Sequence, residues 1–310
     1  MKAVFYDVYG GPEVLQYGDQ PDPKVGPDSV LVEVRASSVN PVDWKITAGY
    51  LDAALPTYFP VIPGWDLAGV VVKPGASVTE FQAGDEVIGY ARMDTVGLGT
   101  FAERVAAPVR ALARKPRNVS WAEAATIPLA GLTAYQTLEA VGATEGDTVL
   151  VHNGAGGVGT YAIQIAAARG ARVLATASGK NHDFLRSLGA EPLTYGEGLG
   201  ERIVEAAPEG LDAVVDLVGG DDWKASLPHL KTPGRVASVA DNTVKEHGGR
   251  YVFVRPNPVH LLALTELVEA GRVKPILADT FPLERASDAF RRSMEGHVRG
   301  KLAITVGDQS

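Results

Sequence analysis

The stretch that decides the fold reads DTVLVHNGAGGVGTYAIQIAAA, residues 147–168. Its first part is a short Val-rich run that predicts a buried strand, and residues 158–169 have the composition of a helix. Between them stands Gly154-Ala155-Gly156-Gly157-Val158-Gly159. Glycines let a loop turn tightly and approach a pyrophosphate, which free N–H groups at the helix start then bind. The pattern therefore predicts dinucleotide binding, and a glycine-rich turn with only a packing role is the alternative.

Strands and helices alternate on the C-terminal side of this loop, which is typical of a parallel sheet covered by helices on both faces. The predicted elements are the strands 172–177, 211–218 and 235–239 and the helices 181–188 and 222–230. Residues 1–120 are instead short Val-rich runs separated by Gly and Pro, which predict an antiparallel β domain. The remaining predictions are helices over 121–142, 258–270 and 284–294, and a strand over 301–306.

Composition narrows the class of protein. A length of 310 residues suggests about two domains. The net charge of -8 disfavours nucleic-acid and anionic-membrane partners, because both require a cationic face. No apolar stretch is long enough to cross a bilayer, and residues 1–7 do not resemble a signal peptide. We therefore expect a cytoplasmic protein.

Cysteine and histidine counts limit the chemistry further. The chain has no cysteine, which excludes disulfides, thiolate catalysis, iron–sulfur clusters and Cys-rich zinc sites. Histidine is absent from the first 151 residues, and the first one is His152. We interpret His152 as a packed or hydrogen-bonded core residue, because it ends the strand before the glycine loop.

The residues after the second predicted strand indicate which dinucleotide is bound. An NAD site places an acid there, about 20 residues after the first glycine, to bind the ribose hydroxyl. This chain reads Ala175-Thr176-Ala177-Ser178-Gly179-Lys180-Asn181, without an acid. A hydroxyl and an ammonium suit a 2′-phosphate, so NADPH is favoured. Lys180 as an ordinary surface lysine is the alternative.

An ordered set of motifs spans nearly the whole chain. It comprises Ser38-Val39-Asn40-Pro41-Val42-Asp43-Trp44-Lys45, Pro63-Gly64-Trp65-Asp66-Leu67-Ala68-Gly69, Gly84-Asp85-Glu86-Val87, Gly131-Leu132-Thr133-Ala134, the glycine loop and Gly300-Lys301. With these motifs the sequence resembles the medium-chain dehydrogenase/reductase superfamily. The resemblance is to its zinc-free branch of quinone oxidoreductases, zeta-crystallin-like proteins and alkenal or enone reductases.

The resemblance implies an α/β fold in which a doubly wound Rossmann sheet is inserted into a GroES-like β-rich catalytic domain. We expect residues 1–122 and 272–310 to form the catalytic domain and residues 123–271 the dinucleotide-binding domain, with cofactor and substrate in the cleft between them. Ser178, Lys180 and Tyr195 would surround the 2′-phosphate. The other implied cofactor-binding residues are Asn40, Lys45, Thr133, Gly154, Gly156, Gly157, Val158, Gly159, Val218, Val239, Ala240, Phe253, Val254 and Lys301.

The resemblance also bears on zinc. Zinc-dependent members of the superfamily carry a cysteine at the position of Asn40, and Gly-His-Glu where this chain has Gly64-Trp65-Asp66. Both of those ligands are gone, so a catalytic zinc of the N/S type has no ligands here. We predict no metal site.

Without zinc, the acceptor's oxygen must be polarised by hydrogen-bond donors or by the cofactor's ribose hydroxyls. The pattern Asn-Pro-Val-Asp-x-Lys is similar to that of alkenal and enone reductases, in which a lysine at the place of Lys45 reaches cofactor and acceptor. The candidate catalytic residues are Lys45, Asn40 and Tyr50, with Tyr58 as a second possible phenol donor. The alternatives are a surface lysine, a turn-capping amide before Pro41 and tyrosines that only pack.

Three further residues have two interpretations each. Trp44 and Trp65 form apolar walls for a flat acceptor, or Trp65 fills the volume of the lost metal site. Asp43 makes a structural hydrogen bond, or less favourably it is a general base.

The predicted function is NADPH-dependent, zinc-independent hydride transfer to a quinone or an α,β-unsaturated carbonyl. Two alternatives remain open: an enoyl-thioester reductase acting on polyketide or fatty-acyl chains, and a non-catalytic NADPH-binding protein. A last strand of the parallel sheet near residues 251–254, rich in Val and Phe, favours pairing into a homodimer.

Overall fold

Seventeen strands and nine α-helices lie within residues 1–307, the part of the chain that the computed structural model describes. The strands are β1 (Lys2–Phe5), β2 (Gln16–Asp19), β3 (Ser29–Val39), β4 (Thr57–Ile62), β5 (Asp66–Pro74), β6 (Glu86–Tyr90), β7 (Val96–Leu98), β8 (Arg104–Pro108), β9 (Leu112–Arg114), β10 (Thr148–Val151), β11 (Arg172–Thr176), β12 (Ala190–Leu193), β13 (Ala213–Asp216), β14 (Val236–Ser238), β15 (Arg250–Tyr251), β16 (Leu277–Pro282) and β17 (Lys301–Thr305). The helices are α1 (Pro41–Thr47), α2 (Trp121–Ala125), α3 (Pro128–Ala140), α4 (Gly157–Ala168), α5 (His182–Ser187), α6 (Leu199–Ala206), α7 (Asp222–Ser226), α8 (Pro258–Glu269) and α9 (Ala286–Met294).

The contacts divide the chain into two units. Within the described residues, the first comprises residues 1–129, 255–269 and 275–307, and the second comprises residues 130–254 and 270–274. Helix α8 groups with the first unit, because Thr265 Oγ1 donates to the Arg114 carbonyl and Asn118 Nδ2 donates to the Val268 carbonyl. The sequence predicts α8 in the dinucleotide-binding domain, and the domain boundaries at 122/123 and 271/272 stay a prediction.

The second unit contains a six-stranded sheet in the order β12-β11-β10-β13-β14-β15, and every neighbouring pair is parallel. The predicted parallel sheet is therefore confirmed. Its chain order runs outward in both directions from β10, so the switch point lies between β10 and β13, where open α/β sheets bind ligands. Leu150, Leu174, Val214 and Trp223 belong to its buried core.

Two elements of this unit escaped the sequence analysis, which named none between residues 188 and 211. Strand β12 carries Glu191 and Pro192, so it lacks an apolar run, and a proline is tolerated there because the strand lies at the sheet edge. Helix α6 follows it and buries only Leu199 and Ile203. The helix predicted over 121–142 is two helices, because Pro128 lacks the N–H that a continuous helix requires.

The first unit is built on a seven-stranded sheet. Six strands follow the order β16-β17-β3-β5-β6-β9, and β8 also pairs with β3. All pairs are antiparallel except β16 with β17, so the predicted antiparallel domain is confirmed over most of its sheet. Its core includes Leu67, Phe101 and Phe290. Within residues 1–307 no helix is both long and apolar enough to span a membrane.

Candidate cofactor and acceptor site

The glycine loop is fastened to the end of the neighbouring strand. The Asn153 N–H donates to Thr176 Oγ1 at 3.0 Å, and the Gly154 N–H donates to the Thr176 carbonyl at 2.9 Å. A Cβ at Gly159 would lie 2.2 Å from the Asn153 carbonyl oxygen, and one at Gly154 would lie 2.8 Å from the Ala175 Cβ. Glycine is therefore required at both positions for α4 to pack this closely against the sheet.

Helix α4 begins without a capping side chain. Its N-cap is Gly156, in extended conformation, and no side chain bonds to the first-turn N–H groups. Gly156, Gly157 and Val158 are all partly exposed. The first-turn donors and the positive end of the helix dipole can thus meet an anionic group, as a pyrophosphate site requires.

The predicted 2′-phosphate residues come off two adjacent strands. Ser178 lies two residues beyond the end of β11, and Tyr195 lies two residues beyond the end of β12. The two strands pair in parallel, with Thr176 opposite Leu193. Ser178 is half-buried, while the Tyr195 ring is 48% exposed. Lys180 is exposed and has no ion pair within residues 1–307. The fold brings the three residues to one edge of the sheet.

The residues predicted on the nicotinamide side occupy three successive loops. Val218 follows β13, Val239 and Ala240 follow β14, and Phe253 and Val254 follow β15. Val218, Ala240 and Phe253 are exposed, and Val239 and Val254 are half-buried. All five lie beyond the carboxyl ends of parallel strands, where α/β sheets bind their ligands.

Thr133 is the exception among the predicted nicotinamide-side residues. It is buried in α3, and its carbonyl accepts a bond from Thr137 Oγ1. Its contact with a cofactor stays a prediction.

Two residues that the sequence analysis did not single out hold these loops. Asp216 and Ser238 are the last residues of β13 and β14, and both are fully buried. The Asp216 carboxylate accepts the N–H groups of Val218 and Gly219 and the Ser238 hydroxyl. An acid that ends a Val-rich run just before Gly219-Gly220 is the sequence pattern that could have identified this turn.

His152 lies directly before the loop and is confirmed as a hydrogen-bonded core residue. Its Nε2 is 2.9 Å from Ser226 Oγ, and the ring is 1% exposed. Burial lowers the pKa of His152 to about 4, although Asp216 and Asp222 oppose that shift. The ring is therefore neutral at physiological pH.

In the first unit, Asn40 and Lys301 meet in a buried polar cluster. The Lys301 ammonium donates to Asn40 Oδ1 at 2.5 Å and to the Val39 carbonyl at 2.8 Å, and it lies 4.0 Å from Asp66 Oδ2. Lys301 is 5% exposed and Asn40 is 2% exposed. The oxygen and the amide nitrogen of Asn40 are both bonded within the unit, since Nδ2 donates to Asp66 at 2.8 Å. Direct contacts of these two residues with a cofactor stay predictions.

Asp66 is the anion of this cluster. Its Oδ2 also accepts the Ser38 hydroxyl at 2.6 Å, and its Oδ1 accepts the Leu129 N–H at 2.7 Å. Burial raises the pKa of Asp66, and Lys301 with these donors counteracts the rise. Burial likewise lowers the pKa of Lys301, against the attraction of Asp66 and Asp43. The donors and the ammonium compensate a carboxylate that would be costly to bury alone.

Asp43 caps helix α1, which confirms its structural hydrogen bond. Its Oδ2 accepts the Asn40 N–H at 2.7 Å, as the N3 residue of a capping box does. Its Oδ1 has no partner within residues 1–307. Burial, with the Asp66 charge adding to it, raises the pKa of Asp43 to about 7. The cluster holds two buried carboxyl groups, those of Asp66 and Asp43, and a single buried ammonium, that of Lys301. A proton on Asp43 at neutral pH is consistent with this imbalance of charges.

The other predicted catalytic side chains are exposed. Lys45 projects from α1 with its Nζ 5.5 Å from the Trp44 ring centroid and makes no hydrogen bond to the buried cluster. Tyr50 is 70% exposed, and Tyr58 is exposed as well. The structure therefore brings Asn40 and Lys301 together but does not join Lys45 or Tyr50 to them.

A cavity of about 740 Å³ lies within the first unit. Its lining includes Asp43, Ile46, Tyr58, Trp65 and Met93. Trp65 is nearly buried and packs edge-on against Tyr90, with ring centroids 6.0 Å apart. Trp65 thus fills space and also forms a cavity wall, so its two interpretations are compatible.

The described residues around Asp66 do not include a set of metal ligands. Within the described residues no three His, Asp or Glu side chains are grouped to hold a metal ion, and the chain has no cysteine. Within residues 1–307, the Lys301 ammonium is the cation that lies within ion-pair distance of the Asp66 carboxylate. A cation site already holding an ammonium does not suit zinc.

Comparison with known families gives two matches in chain order. The model of the alcohol dehydrogenase GroES-like domain matches residues 26–117. The model of the zinc-binding dehydrogenase family matches residues 197–304.

Individual proteins match over almost the full chain. The chloroplast envelope quinone oxidoreductase homolog of Arabidopsis thaliana is 34% identical over 98% of each chain. The chloroplastic NADPH-dependent alkenal/one oxidoreductase of the same plant is 36% identical, over 98% of this chain and 79% of its own. A solved structure of the quinone oxidoreductase from Coxiella burnetii superposes with a TM-score of 0.87 at 35% identity, covering 99% of both chains.

Proposed function

The chain belongs to the medium-chain dehydrogenase/reductase superfamily, in its branch of quinone oxidoreductases and alkenal reductases, and from that premise we propose an NADPH-dependent, zinc-independent reductase. Its acceptor is a quinone or an α,β-unsaturated carbonyl compound. The relatives' names describe reductases of these two classes.

The observation that carries the choice of NADPH is the edge formed by the ends of β11 and β12. It offers the Ser178 hydroxyl, the Tyr195 phenol and the exposed Lys180 ammonium, and residues 175–182 contain no acid. A 2′-phosphate is bound by such donors and would be repelled by the carboxylate of an NAD site.

Zinc independence is supported by the donor set in the first unit. Asn40, Trp65 and Asp66 supply one carboxylate and no thiolate or imidazole, and Lys301 is already paired with that carboxylate. Zinc in catalytic sites is held by three protein ligands of N, S or carboxylate type. The residues present do not fit this requirement.

NADPH fits the second unit, because the glycine loop and the uncapped start of α4 form a cradle for its pyrophosphate. When bound, the cofactor supplies the hydride. The chain's own residues bind the phosphates and hold the nicotinamide-side loops. We assign the ammonium of Lys45 and the phenol of Tyr50 to polarise the acceptor's oxygen and deliver a proton, since both are exposed.

The test is NADPH oxidation with 1,4-benzoquinone, 9,10-phenanthrenequinone and a short 2-alkenal offered separately, with NADH as the control cofactor. We expect turnover with NADPH, a much lower rate with NADH, and an unchanged rate after exhaustive treatment with a chelator. A rate that the chelator removes and zinc restores would contradict the zinc-free mechanism. Tight NADPH binding without reduction of any acceptor would favour an enoyl-thioester reductase or a non-catalytic binding protein.

The assembly and location remain proposals. We propose a homodimer joined along the edge of the parallel sheet at β15, a two-residue strand followed by the exposed Phe253. Sedimentation of the purified protein tests it. A cytoplasmic location and the lack of nucleic-acid and membrane partners stay predictions from composition.

A further inference from the structure

A buried carboxylate and a buried hydroxyl stand side by side at the ligand edge of the parallel sheet. Asp216 ends β13 and Ser238 ends β14, and the two residues are direct neighbours in the parallel register. Both side chains are fully buried. Polar side chains buried to this extent are expected to be hydrogen-bonded, so the groups that they bond to indicate what they do.

Asp216 fixes the loop that follows its own strand. Its Oδ1 accepts the N–H groups of Val218 at 3.1 Å and Gly219 at 2.9 Å. Gly219 and Gly220 both have positive φ angles, of 78° and 83°, so the chain turns sharply at this point. These N–H groups lie in a turn and have no neighbouring strand to bond to. The carboxylate thus supplies their hydrogen-bond acceptor.

Ser238 joins this loop to the next one. Its hydroxyl donates to Asp216 Oδ2 at 2.5 Å, and its oxygen accepts the N–H groups of Ala240 at 3.1 Å and Asp241 at 2.8 Å. The loops after β13 and β14 are therefore held by one continuous set of hydrogen bonds. No cation lies within ion-pair distance of Asp216 in the described part of the chain, so hydrogen-bond donors alone compensate its charge.

The position of the Asp216 and Ser238 hydrogen bonds in the sheet indicates what they do. Strand β13 borders the switch point between β10 and β13, where ligands of such sheets bind. The two loops carry Val218, Val239 and Ala240, which are predicted to line the nicotinamide. The phosphate-binding residues Ser178 and Lys180 lie instead beyond β11, on the other side of β10.

We propose that Asp216 and Ser238 are positioning residues that hold the nicotinamide-side loops in place for hydride transfer, an inference that rests on the proposed NADPH-dependent function. They act on the nicotinamide half of the cofactor and leave the adenosine 2′-phosphate half unaffected. A residue that merely stabilised the unit would affect binding of both halves alike.

The experiment compares two ligands. Adenosine 2′,5′-bisphosphate probes the phosphate half alone, and NADPH probes both halves. For Ser238→Ala and Asp216→Asn we expect the Kd of NADPH to rise about tenfold, because each variant removes hydrogen bonds that hold the loops. The Kd of the bisphosphate should change by less than about twofold, while kcat at saturating NADPH falls about tenfold or more because the ring is misaligned.

Ser226→Ala is the matched control, since Ser226 is also a fully buried serine of the same unit, and its hydroxyl is hydrogen-bonded to His152 Nε2 at 2.9 Å and to the Asp222 carbonyl at 3.4 Å. It should leave both Kd values and kcat as in the unmodified protein. Equal weakening of NADPH and bisphosphate binding, or no weakening of either, would overturn the positioning role. If the unmodified protein bound neither ligand, the proposed NADPH-dependent function would itself fail, which is a distinguishable result.

Discussion

The polar groups around the glycine loop of the second unit and those around Asp66 in the first unit are used in opposite ways. At the ligand edge of the parallel sheet, the first-turn N–H groups of α4 and the Lys180 ammonium have no side-chain partner in the described chain. In the first unit, the amide of Asn40, the ammonium of Lys301 and the carboxylate of Asp66 are buried and bonded to one another. Open groups can bind a ligand, whereas mutually bonded ones hold a structure together.

The largest effect on ligand binding is expected at the open site. Gly159→Ala would place a Cβ 2.2 Å from the Asn153 carbonyl oxygen, which forces the loop away from α4. We expect loss of measurable NADPH binding and a loss of about 3 kcal/mol in the free energy of unfolding. Calorimetric titration and urea unfolding measure both quantities. The control is Gly26→Ala, whose Cβ would meet Ser29 Oγ at an ordinary 3.6 Å.

Removing the buried ammonium tests the bonded cluster. Lys301→Met leaves the Asp66 carboxylate buried without a cation, and we expect the free energy of unfolding to fall by about 3–5 kcal/mol. Urea unfolding measures this change. Adding Asp66→Asn should recover part of the loss, because the uncompensated charge is then gone.

A matched control for this prediction is Lys231→Met, which removes an exposed ion pair with Asp212 and should cost less than about 1 kcal/mol. A loss of similar size for the Lys301 and Lys231 variants would show that the cluster is not a buried charge pair and would remove the contrast between the open and the bonded polar groups.

A loss of stability of intermediate size is expected when the pH is lowered. His152 has a folded-state pKa of about 4 against an ordinary 6.5, so the neutral ring stabilises the fold above pH 6.5 and that stabilisation is lost as pH falls toward 4. Between pH 7 and pH 5 the loss amounts to about 2 kcal/mol. It is measured as the difference in pH dependence between the unmodified protein and His152→Gln, which cancels the opposite titration of Asp43. Parallel pH profiles would contradict it.

The smallest effect concerns a single surface ammonium. Lys180→Ala should raise the KM for NADPH about tenfold and leave the KM for NADH unchanged, because only NADPH carries the 2′-phosphate. Steady-state kinetics with both cofactors measure it, with Lys231→Ala as the control. Equal changes for NADPH and NADH would show that Lys180 does not contact the 2′-phosphate.

The sequence predicted the strand, the glycine loop and α4 correctly because they are local in the chain. The strand, the glycine loop and α4 lie within residues 148–168, and their pattern directly reflects the backbone geometry that an anion requires. The parallel sheet also followed from the alternating strands and helices. Strand β12 was missed because Glu191 and Pro192 interrupt any apolar pattern, and an edge strand needs none.

The bonded cluster could not be predicted in the same way. Asn40 and Asp66 are 26 positions apart in the chain, and Asn40 and Lys301 are 261 apart. No local pattern indicates that these side chains meet, so the sequence supported Lys301 only as a ligand contact implied by resemblance, and Asn40 either as such a contact or as a turn-capping amide before Pro41. Asp216 and Ser238 each accept N–H groups two or three residues ahead, which is a local pattern, and only the bond between the two side chains spans 22 positions and could not be read from the sequence.

The separation between Asn40 and Lys301 also has a consequence for how the protein is made. Strand β17, which carries Lys301, pairs with β3 and β16 in the first unit, yet it is synthesised after the entire parallel sheet. On the ribosome, Asp66 therefore has no Lys301 to pair with while the second unit is synthesised and folds. The first unit is begun first and completed last, so a nascent chain halted before β17 would expose an open sheet edge to chaperones and proteases.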